Sequence, residues 1–281
     1  MKLCRYGDEG NEKVGLIDGS GAIRDLSGHV EKLDGKALAG GILERLAAID
    51  VETLPLVEGE PRFGPPLEGI SKFICIGLNY SDHAAEAGMQ VPDSPIIFLK
   101  APSAICGPND DTVQPRGSTK LDWEVELAIV ISREARDISE AEARDHIAGY
   151  CVANDVSERA FQMSSGQWDK GKGCDTFGPL GPWLVTPDEI GDPQSLDLWL
   201  DVNGKRMQTG NTRTMVFGID RLVSECSRYM TLKPGDVIAT GTPPGVGMGI
   251  KPDPVWLKPG DVVELGVAGL GTQRQTIVRR G

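Results

Sequence analysis

The run from Leu121 to Ile131 is apolar except near its start, and this pattern constrains the fold more than any other in the chain. Its valines, isoleucines and tryptophan are typical of a β-strand, whose side chains alternate between two faces. Glu124 and Glu126 are two residues apart, so both carboxylates project from one face. The continuous apolar run after Glu126 predicts a strand that is covered on both faces. Two like charges in such a place need a cation or a proton to neutralise them.

A third acid, Asp155, ends the next strand-like run, which begins at Ile147. If the two strands are neighbours, Glu124, Glu126 and Asp155 converge with no histidine or cysteine beside them. An all-oxygen ligand set favours a hard cation, Mg²⁺ or Mn²⁺, with Ca²⁺ as an alternative. The competing interpretation is the solvated face of an antiparallel sheet. Asp122 has the same parity and is open to three roles: a further ligand, an acceptor behind the ligands, or a solvated side chain.

The composition excludes several classes of protein. The 281-residue chain has a formal net charge of −12 and no cluster of lysine and arginine, so we expect no nucleic-acid partner. No apolar run approaches the roughly 18 residues of a membrane span, and the polar start does not have the pattern of a signal peptide. We therefore expect a cytosolic protein without a membrane partner. The six cysteines are scattered without a Cys-x-x-Cys pair, which predicts reduced, packed thiols.

Residues 1–68 have the pattern of a small N-terminal α/β unit, and residues 69–281 that of a larger domain. A proline- and glycine-rich linker separates them, and the first unit has a helical run over Leu38–Ile49. Strands and turns dominate the rest, with helices predicted near Ser139–His146 and Val216–Met230. The predicted fold class is therefore α+β and β-rich. The predicted strands of the larger domain are Lys72–Gly77, Ile96–Lys100, Glu124–Ile131, Ala148–Val156, Trp183–Val185, Leu196–Val202, Val237–Thr240 and Val262–Leu265.

Residues 73–88 have the pattern of a strand, a glycine turn and a short helix. On that helix His83 and Glu86 are three residues apart, so they lie on one face and can touch. A carboxylate that contacts a histidine fixes its tautomer and raises its basicity, as a water-activating base needs near neutral pH. The alternative is an exposed ion pair on a surface helix.

Two glycine-rich segments have a composition typical of ligand-binding loops. Residues 170–182 hold two lysines, of which Lys172 is the better candidate to reach an anionic substrate; the alternative is a solvated lysine. Residues 240–249 follow a strand but lack the Gly-Lys-Ser/Thr ending of a phosphate loop, so we expect no nucleotide. We interpret this segment as a rigid loop that offers hydroxyls and backbone N–H groups to a ligand.

Five phrases, in this order, make residues 72–267 similar to the fumarylacetoacetate hydrolase family. They are Gly-Leu-Asn-Tyr-Ser-Asp-His-Ala-Ala-Glu (77–86), Asp-Trp-Glu-Val-Glu-Leu (122–127), Asn-Asp-Val-Ser-Glu-Arg (154–159), Gly-Lys-Gly-Cys-Asp-Thr-Phe-Gly-Pro-Leu-Gly-Pro (171–182) and Pro-Gly-Asp-Val-Ile-Ala-Thr-Gly-Thr-Pro-Pro-Gly (234–245). The resemblance implies a mixed β-sandwich roll, usually a homodimer, with a divalent metal held by three carboxylates. It also implies a small keto acid as the substrate.

The same resemblance implies roles for individual residues. The implied metal ligands are Glu124, Glu126 and Asp155. The implied water-activating pair is His83 with Glu86, and Lys172 is the implied partner of the negative charge that develops on the substrate. The implied substrate-contacting positions are Gln162, Thr242 and Tyr80. One departure is Leu78, where several relatives have arginine. Recognition of the far end of the substrate is therefore open, and a less charged tail fits this departure.

The resemblance is greatest to bacterial enzymes that cleave 2,4-diketo-3-deoxy-L-fuconate or -rhamnonate, whose branch is often labelled ureidoglycolate lyase. The hypothesis is a metal-dependent hydrolysis of a C–C bond in a 2,4-diketo acid, which gives pyruvate and lactate from these sugar acids. Three alternatives use the same site: ureidoglycolate lyase, oxaloacetate decarboxylase and 2-hydroxy-dienoate isomerase. A further alternative is a non-catalytic module that holds structural Ca²⁺.

Overall fold

β-Strands are the predominant regular elements of the structure. The computed structural model describes residues 1–82, Glu86 and 90–280. The strands are β1 (Lys2–Tyr6), β2 (Lys13–Ile17), β3 (Ile23–Asp25), β4 (Phe73–Gly77), β5 (Ile96–Lys100), β6 (Ile105–Cys106), β7 (Thr112–Gln114), β8 (Leu121–Asp122), β9 (Val125–Ile131), β10 (Ile147–Asn154), β11 (Ser157–Glu158), β12 (Gly178–Val185), β13 (Asp197–Val202), β14 (Lys205–Asn211), β15 (Val237–Ala239), β16 (Val262–Val267) and β17 (Gly271–Arg279). The α-helices are α1 (Gly35–Ala39), α2 (Ile42–Ala47), α3 (Arg159–Gln162), α4 (Asp169–Lys172) and α5 (Ile219–Tyr229), and the 3₁₀ helices are Val51–Thr53, Pro102–Ala104, Glu140–His146, Pro187–Glu189, Pro193–Ser195, Thr212–Thr214 and Gly247–Gly249.

The strands form one large sheet and two smaller ones within the described residues. The large sheet has the order β3-β2-β1-β12-β10-β9-β15-β4-β5, and β6 pairs with β12. Its neighbours are antiparallel except for β4 with β15 and β6 with β12, which are parallel. A second sheet has the order β14-β13-β16-β17-β7, and β8 pairs with β11. This arrangement of mixed sheets confirms the predicted β-rich α+β class.

Strand β9 lies inside the large sheet, and its side chains separate two hydrophobic cores. Leu127, Ile129 and Ile131 point into a core that the five-stranded sheet shares. Ala128 and Val130 point the opposite way, into a core that includes residues of α1 and α2. Every residue of β9 is buried, so the prediction of a strand covered on both faces is confirmed. The large sheet is therefore the middle layer of the fold.

The N-terminal segment continues this sheet. Strand β1 pairs with β12, where Leu3 lies opposite Leu184. The predicted linker lies along β1, because Gly7 N–H donates to the carbonyl of Arg62 at 2.8 Å. The first three strands are thus hydrogen-bonded into the sheet that carries the candidate site. The division into two units at residue 68 stays a prediction.

Several predicted elements differ from the structure for identifiable reasons. The helical run predicted over Leu38–Ile49 is two helices, because Gly41 between them adopts φ 70°. Residues 170–182 do not form a loop: Lys172 ends α4, and β12 begins at Gly178. Strands β14 and β17 were not predicted because exposed polar residues interrupt their apolar pattern.

The helices predicted near Ser139–His146 and Val216–Met230 are present, whereas the short helix predicted within residues 73–88 lies largely outside the described residues. Ser139 and Glu142 form a reciprocal cap at the start of the 3₁₀ helix that ends at His146, as their spacing predicts. Helix α5 lies within the second predicted range. Among the residues that the structure describes, no helix is both long enough and apolar enough to span a bilayer.

The five-stranded sheet supports the start of β9 through Gln208. The side-chain oxygen of Gln208 accepts from Val125 N–H at 3.0 Å. Its amide nitrogen donates to the Thr242 hydroxyl and to the Pro243 carbonyl, each at 2.8 Å. Gln208 is fully buried, so these bonds connect two layers of the fold beside the acidic residues.

Replacing Gln208 with leucine leaves the buried N–H of Val125 without its acceptor. We expect the free energy of unfolding to fall by about 2–4 kcal/mol, because an unsatisfied buried donor alone costs about 1–3 kcal/mol. Urea denaturation of metal-free protein measures this loss. The exposed neighbour on the same strand gives the control, Thr209→Leu, which should change stability by about 0.5 kcal/mol or less. Equal stability of the two variants would contradict the bridging role.

Candidate metal centre and active site

Glu124, Glu126 and Asp155 converge where β9 begins and β10 ends. Antiparallel pairing sets Ala153 opposite Glu126, and Asp155 N–H donates to the Glu124 carbonyl at 2.9 Å. One oxygen of each carboxylate lies within 4.8 Å of the others, and all three residues are buried. The convergence predicted from strand parity is therefore present, and the solvated-face interpretation is wrong.

Buried cations bind two of these three carboxylates. The ammonium of Lys172 donates to Glu124 and to Asp155, each at 2.6 Å. Lys100 donates to the other oxygen of Asp155 at 2.5 Å, and Arg159 pairs with Glu124. These three cations are at most 5% exposed. The alternative of a solvated Lys172 is therefore wrong.

Asp122 lies behind Glu124 as a hydrogen-bond acceptor. Its carboxylate accepts from Arg159 Nε at 2.8 Å and from the backbone N–H groups of Gly247 at 2.6 Å and Met248 at 3.1 Å. It is fully buried, so the acceptor role is the one observed among the three left open. With Asp122 included, four carboxylates face three cations, and one negative charge is in excess when all are ionised.

The two glutamates differ in proton affinity. Burial alone would raise the pKa of Glu124, but nearby cations, led by Arg159, outweigh it and lower this pKa to about 2. Burial, followed by repulsion from Asp155 and Glu124, raises the pKa of Glu126 well above its ordinary value. Gly241 N–H donates to Glu126 at 2.8 Å without reversing this direction. A cation between the carboxylates would therefore compete with a proton on Glu126.

The donor set fits a hard divalent cation. Glu124, Glu126 and Asp155 supply only oxygen, the ligand type that Mg²⁺, Mn²⁺ and Ca²⁺ prefer. The excess negative charge is buried, where it is costly unless a cation or a proton compensates it. Three carboxylates also leave coordination positions for water or substrate.

A cavity of about 160 Å³ lies over these carboxylates. Its inner wall includes the three candidate ligands together with Arg159 and Lys172. Its apolar wall includes Ile76, Leu78, Phe98, Met163, Trp168 and Met248. The volume is small beside the roughly 300–1,000 Å³ of pockets that hold drug-sized ligands, so a compact substrate fits best.

Two of the three predicted substrate contacts line the cavity. The Gln162 side-chain oxygen accepts from Arg159 at 3.1 Å, so its amide N–H groups are what it presents to a ligand. The Thr242 hydroxyl donates to the Val125 carbonyl at 2.8 Å and accepts from Gln208. Thr242 thus fastens its loop to β9, and its hydroxyl is already engaged within the protein.

Neither Tyr80 nor Glu86 is among the described lining residues of the cavity. Tyr80 is fully buried in the core and is not among the lining residues, so its placement does not support the predicted substrate contact. Glu86 is half-buried, and its carboxylate accepts from Gly245 N–H at 3.1 Å. His83 lies outside the described residues, and its role as a base stays a prediction.

The loop 240–249 binds the protein's own carboxylates. Its backbone N–H groups donate to Glu126, Glu86 and Asp122. The prediction that the loop offers its N–H groups to a ligand is wrong for these three groups, because each donates to a buried or half-buried carboxylate of the protein. The loop therefore fixes the orientation of the acidic side chains.

Sequence patterns did not predict two of the three buried cations beside the acidic residues. Arg159 ends the phrase at 154–159, and Lys100 ends the apolar strand β5. A charged residue that ends an otherwise apolar strand needs a partner if it is buried, which was the available signal for Lys100. Its partner Asp155 is 55 residues further along the chain, so local periodicity does not reveal the pair.

Comparison with known proteins assigns the chain to one family. Residues 72–278 match the family model described as fumarylacetoacetate (FAA) hydrolase C-terminal. A Burkholderia ambifaria protein named only as a hydrolase is 63% identical over 277 residues, which are 98% of each chain. The solved fumarylacetoacetate hydrolase of Exiguobacterium antarcticum is 36% identical to this chain, with a TM-score of 0.88. Maleylpyruvate hydrolase of Sphingobium sp. SYK-6, solved with manganese(II) and pyruvate, is 29% identical, with a TM-score of 0.83. Each match covers 100% of both chains. The chain therefore belongs to the fumarylacetoacetate hydrolase family of enzymes.

Replacing Glu126 with glutamine removes the carboxyl whose pKa burial raises, and keeps an oxygen for Gly241 N–H. A raised carboxyl pKa means that the folded state binds the proton more tightly, so stability falls as pH rises above the ordinary carboxyl pKa. We expect Glu126→Gln to remove this fall, so that the metal-free variant is more stable than the metal-free native protein near pH 7. We also expect it to abolish the increase in Tm that Mg²⁺ or Mn²⁺ produces.

Thermal unfolding between about pH 5 and 8, with EDTA or with either metal, measures both effects. The exposed glutamate on the surface gives the control, Glu134→Gln, which should behave as the native protein. A Glu126→Gln protein whose Tm still rises with metal as the native protein does would show that Glu126 is not a ligand.

Proposed function

We propose that the protein is a metal-dependent hydrolase that cleaves a C–C bond in a 2,4-diketo acid of the acylpyruvate type. The observation that carries this proposal is the convergence of Glu124, Glu126 and Asp155 with Lys172 at the inner end of a compact cavity. A family member of the same fold, solved with manganese(II) and pyruvate, supports both the cation and the product.

The carboxylates and the lysine have distinct roles in this proposal. Glu124, Glu126 and Asp155 hold Mg²⁺ or Mn²⁺, which when bound polarises the keto-acid end of the substrate as a Lewis acid. Lys172 offsets the negative charge that gathers on substrate oxygen as the bond breaks. Burial would lower the pKa of Lys172, but the carboxylates, led by Asp155, outweigh burial and raise it, so the ammonium stays charged.

The proposed base is His83, oriented by Glu86. His83 takes a proton from water, and the resulting hydroxide attacks the C4 carbonyl of the substrate. The C3–C4 bond then breaks, its electron pair stays on C3, and C3 takes up a proton to give pyruvate; the acyl part leaves as a second acid. The hydrogen bond between Glu86 and Gly245 N–H holds the orienting carboxylate in place.

As the particular substrate we propose 2,4-diketo-3-deoxy-L-fuconate or -rhamnonate, which would give pyruvate and lactate. We also propose that the enzyme is a cytosolic homodimer. Ureidoglycolate cleavage, oxaloacetate decarboxylation and isomerisation of a 2-hydroxy-dienoate are alternatives at the same site. None of them needs attack by water on a C4 carbonyl, and the products of each differ from those of the proposal.

Metal-stripped protein, refilled with Mg²⁺ or Mn²⁺, tests the proposal on a panel of these compounds. We expect metal-dependent release of pyruvate from acylpyruvates, with lactate as the second product from the deoxysugar acids. Activity confined to oxaloacetate, ureidoglycolate or a hydroxy-dienoate would assign the corresponding alternative reaction. An increase in Tm with Ca²⁺ and no turnover of any compound would indicate a structural cation site.

Replacing Lys172 with methionine removes the charge and keeps an unbranched side chain beside the Phe98 ring, whose centroid lies 5.1 Å from the ammonium. We expect kcat for pyruvate release to fall about 100-fold or more, as for loss of a group that stabilises transition-state charge. The metal-dependent increase in Tm should remain. The control is Lys170→Met, on the exposed side of the same helix, which should keep the native kcat. A native kcat in folded, metal-binding Lys172→Met protein would exclude the proposed role.

A further inference from the structure

The cations in the cavity wall are all bound to the protein's own carboxylates. Lys172 donates to Glu124 and Asp155, and Arg159 pairs with Asp122 and Glu124. No other lysine or arginine is among the described lining residues. The seven residues outside the described part contain no lysine or arginine in the sequence. The described cavity wall therefore offers no uncommitted lysine or arginine to a second acidic group of a substrate.

The outer wall of the cavity is apolar and partly exposed. Met163 is 68% exposed and Met248 is 40% exposed, although both line the cavity. Trp168 packs edge-on against Phe98, with ring centroids 5.3 Å apart. A Cβ atom at Gly77 would lie 2.7 Å from the Trp168 ring, so the glycine gives this ring room at the wall. These side chains form an apolar surface that a substrate tail can cover.

We propose that this wall selects acylpyruvates whose acyl tail ends without charge, and that Met163, Trp168 and Met248 contact that tail. The inference rests on the proposed function and specifies its substrate class. A tail carboxylate would leave water for an apolar surface without a cation to pair with, which is costly. Alkyl tails and the short hydroxylated tail of a deoxysugar acid both satisfy the requirement, whereas diacids do not.

Two acylpyruvates with equally long tails, one ending in isopropyl and the other in a carboxylate, test the selection directly. We expect kcat/KM to be at least about tenfold higher for the isopropyl compound. Equal values would overturn the inference and leave the proposed hydrolase intact. Failure to cleave either compound would instead count against the hydrolase, and the selection would then be decided by binding.

Binding is measured with two isosteric 2-keto acids that have no second keto group to cleave, 5-methyl-2-oxohexanoate and 2-oxoglutarate. In the presence of Mg²⁺ or Mn²⁺, we expect the first to raise Tm at concentrations where the second does not. An equal or larger increase with 2-oxoglutarate would overturn the inference whatever reaction the enzyme catalyses.

A cation placed at the cavity mouth should change the selection. Relative to Met163→Gln, which has similar length and no charge, Met163→Lys should shift the ratio of kcat/KM toward the carboxylate-ended substrate by at least about fivefold. Because Met163 is largely exposed, we expect both variants to fold. Should one not fold, Met248→Lys and Met248→Gln provide the same comparison. An unchanged ratio in the folded lysine variant would place the tail elsewhere.

Discussion

Strand pairing brings Glu124, Glu126 and Asp155 together, and much of the structure around them compensates their mutual repulsion. Lys100 comes from the edge strand β5, and Lys172 comes from the short helix α4. Helix α3 supplies a guanidinium, and a glycine-rich loop supplies backbone N–H groups. Because these groups are buried, loss of one cation would leave a charge without compensation, which is strongly destabilising. The acidic cluster therefore holds four separate elements in one arrangement.

The sandwich architecture fixes the same strand ends from the other face of the large sheet. Asn154 accepts a hydrogen bond from the backbone N–H of Glu124 at 3.1 Å and donates to Gln275 of the five-stranded sheet at 3.0 Å. Gln208 makes the equivalent connection one residue further along β9. Packing and hydrogen bonds that lock the supporting residues are what keep ligand side chains in a productive geometry. The second sheet thus supports the residues of the site through these hydrogen bonds, although none of its strands lines the described cavity.

Sequence patterns predicted the features that depend on local periodicity. The parity of Glu124 and Glu126 and the apolar run after them determined the strand, its burial and the face of the acids. Patterns did not reveal Lys100 or Arg159, because each is paired with acids that are distant along the chain. The glycines and prolines before Trp183 concealed the first half of β12, since both residue types are also typical of loops. The sequence alone therefore left open two polar strands, the first half of β12 and the ion pairs between residues that are distant along the chain.

Charge balance connects the two ends of the cavity. Burial and like charges favour a proton on Glu126. With that proton bound, the charges of the four carboxyl groups and three cations sum to zero, so no divalent ion is needed to balance the buried charge. A divalent ion that displaces this proton leaves the inner cavity with one positive charge in excess. One substrate carboxylate, the group that every 2-keto acid carries, neutralises that excess. A second carboxylate would find no uncommitted lysine or arginine among the described lining residues, whose outer wall includes Met163, Trp168 and Met248. The charge count at the acidic cluster thus supports the proposed preference for a substrate with a single acidic group.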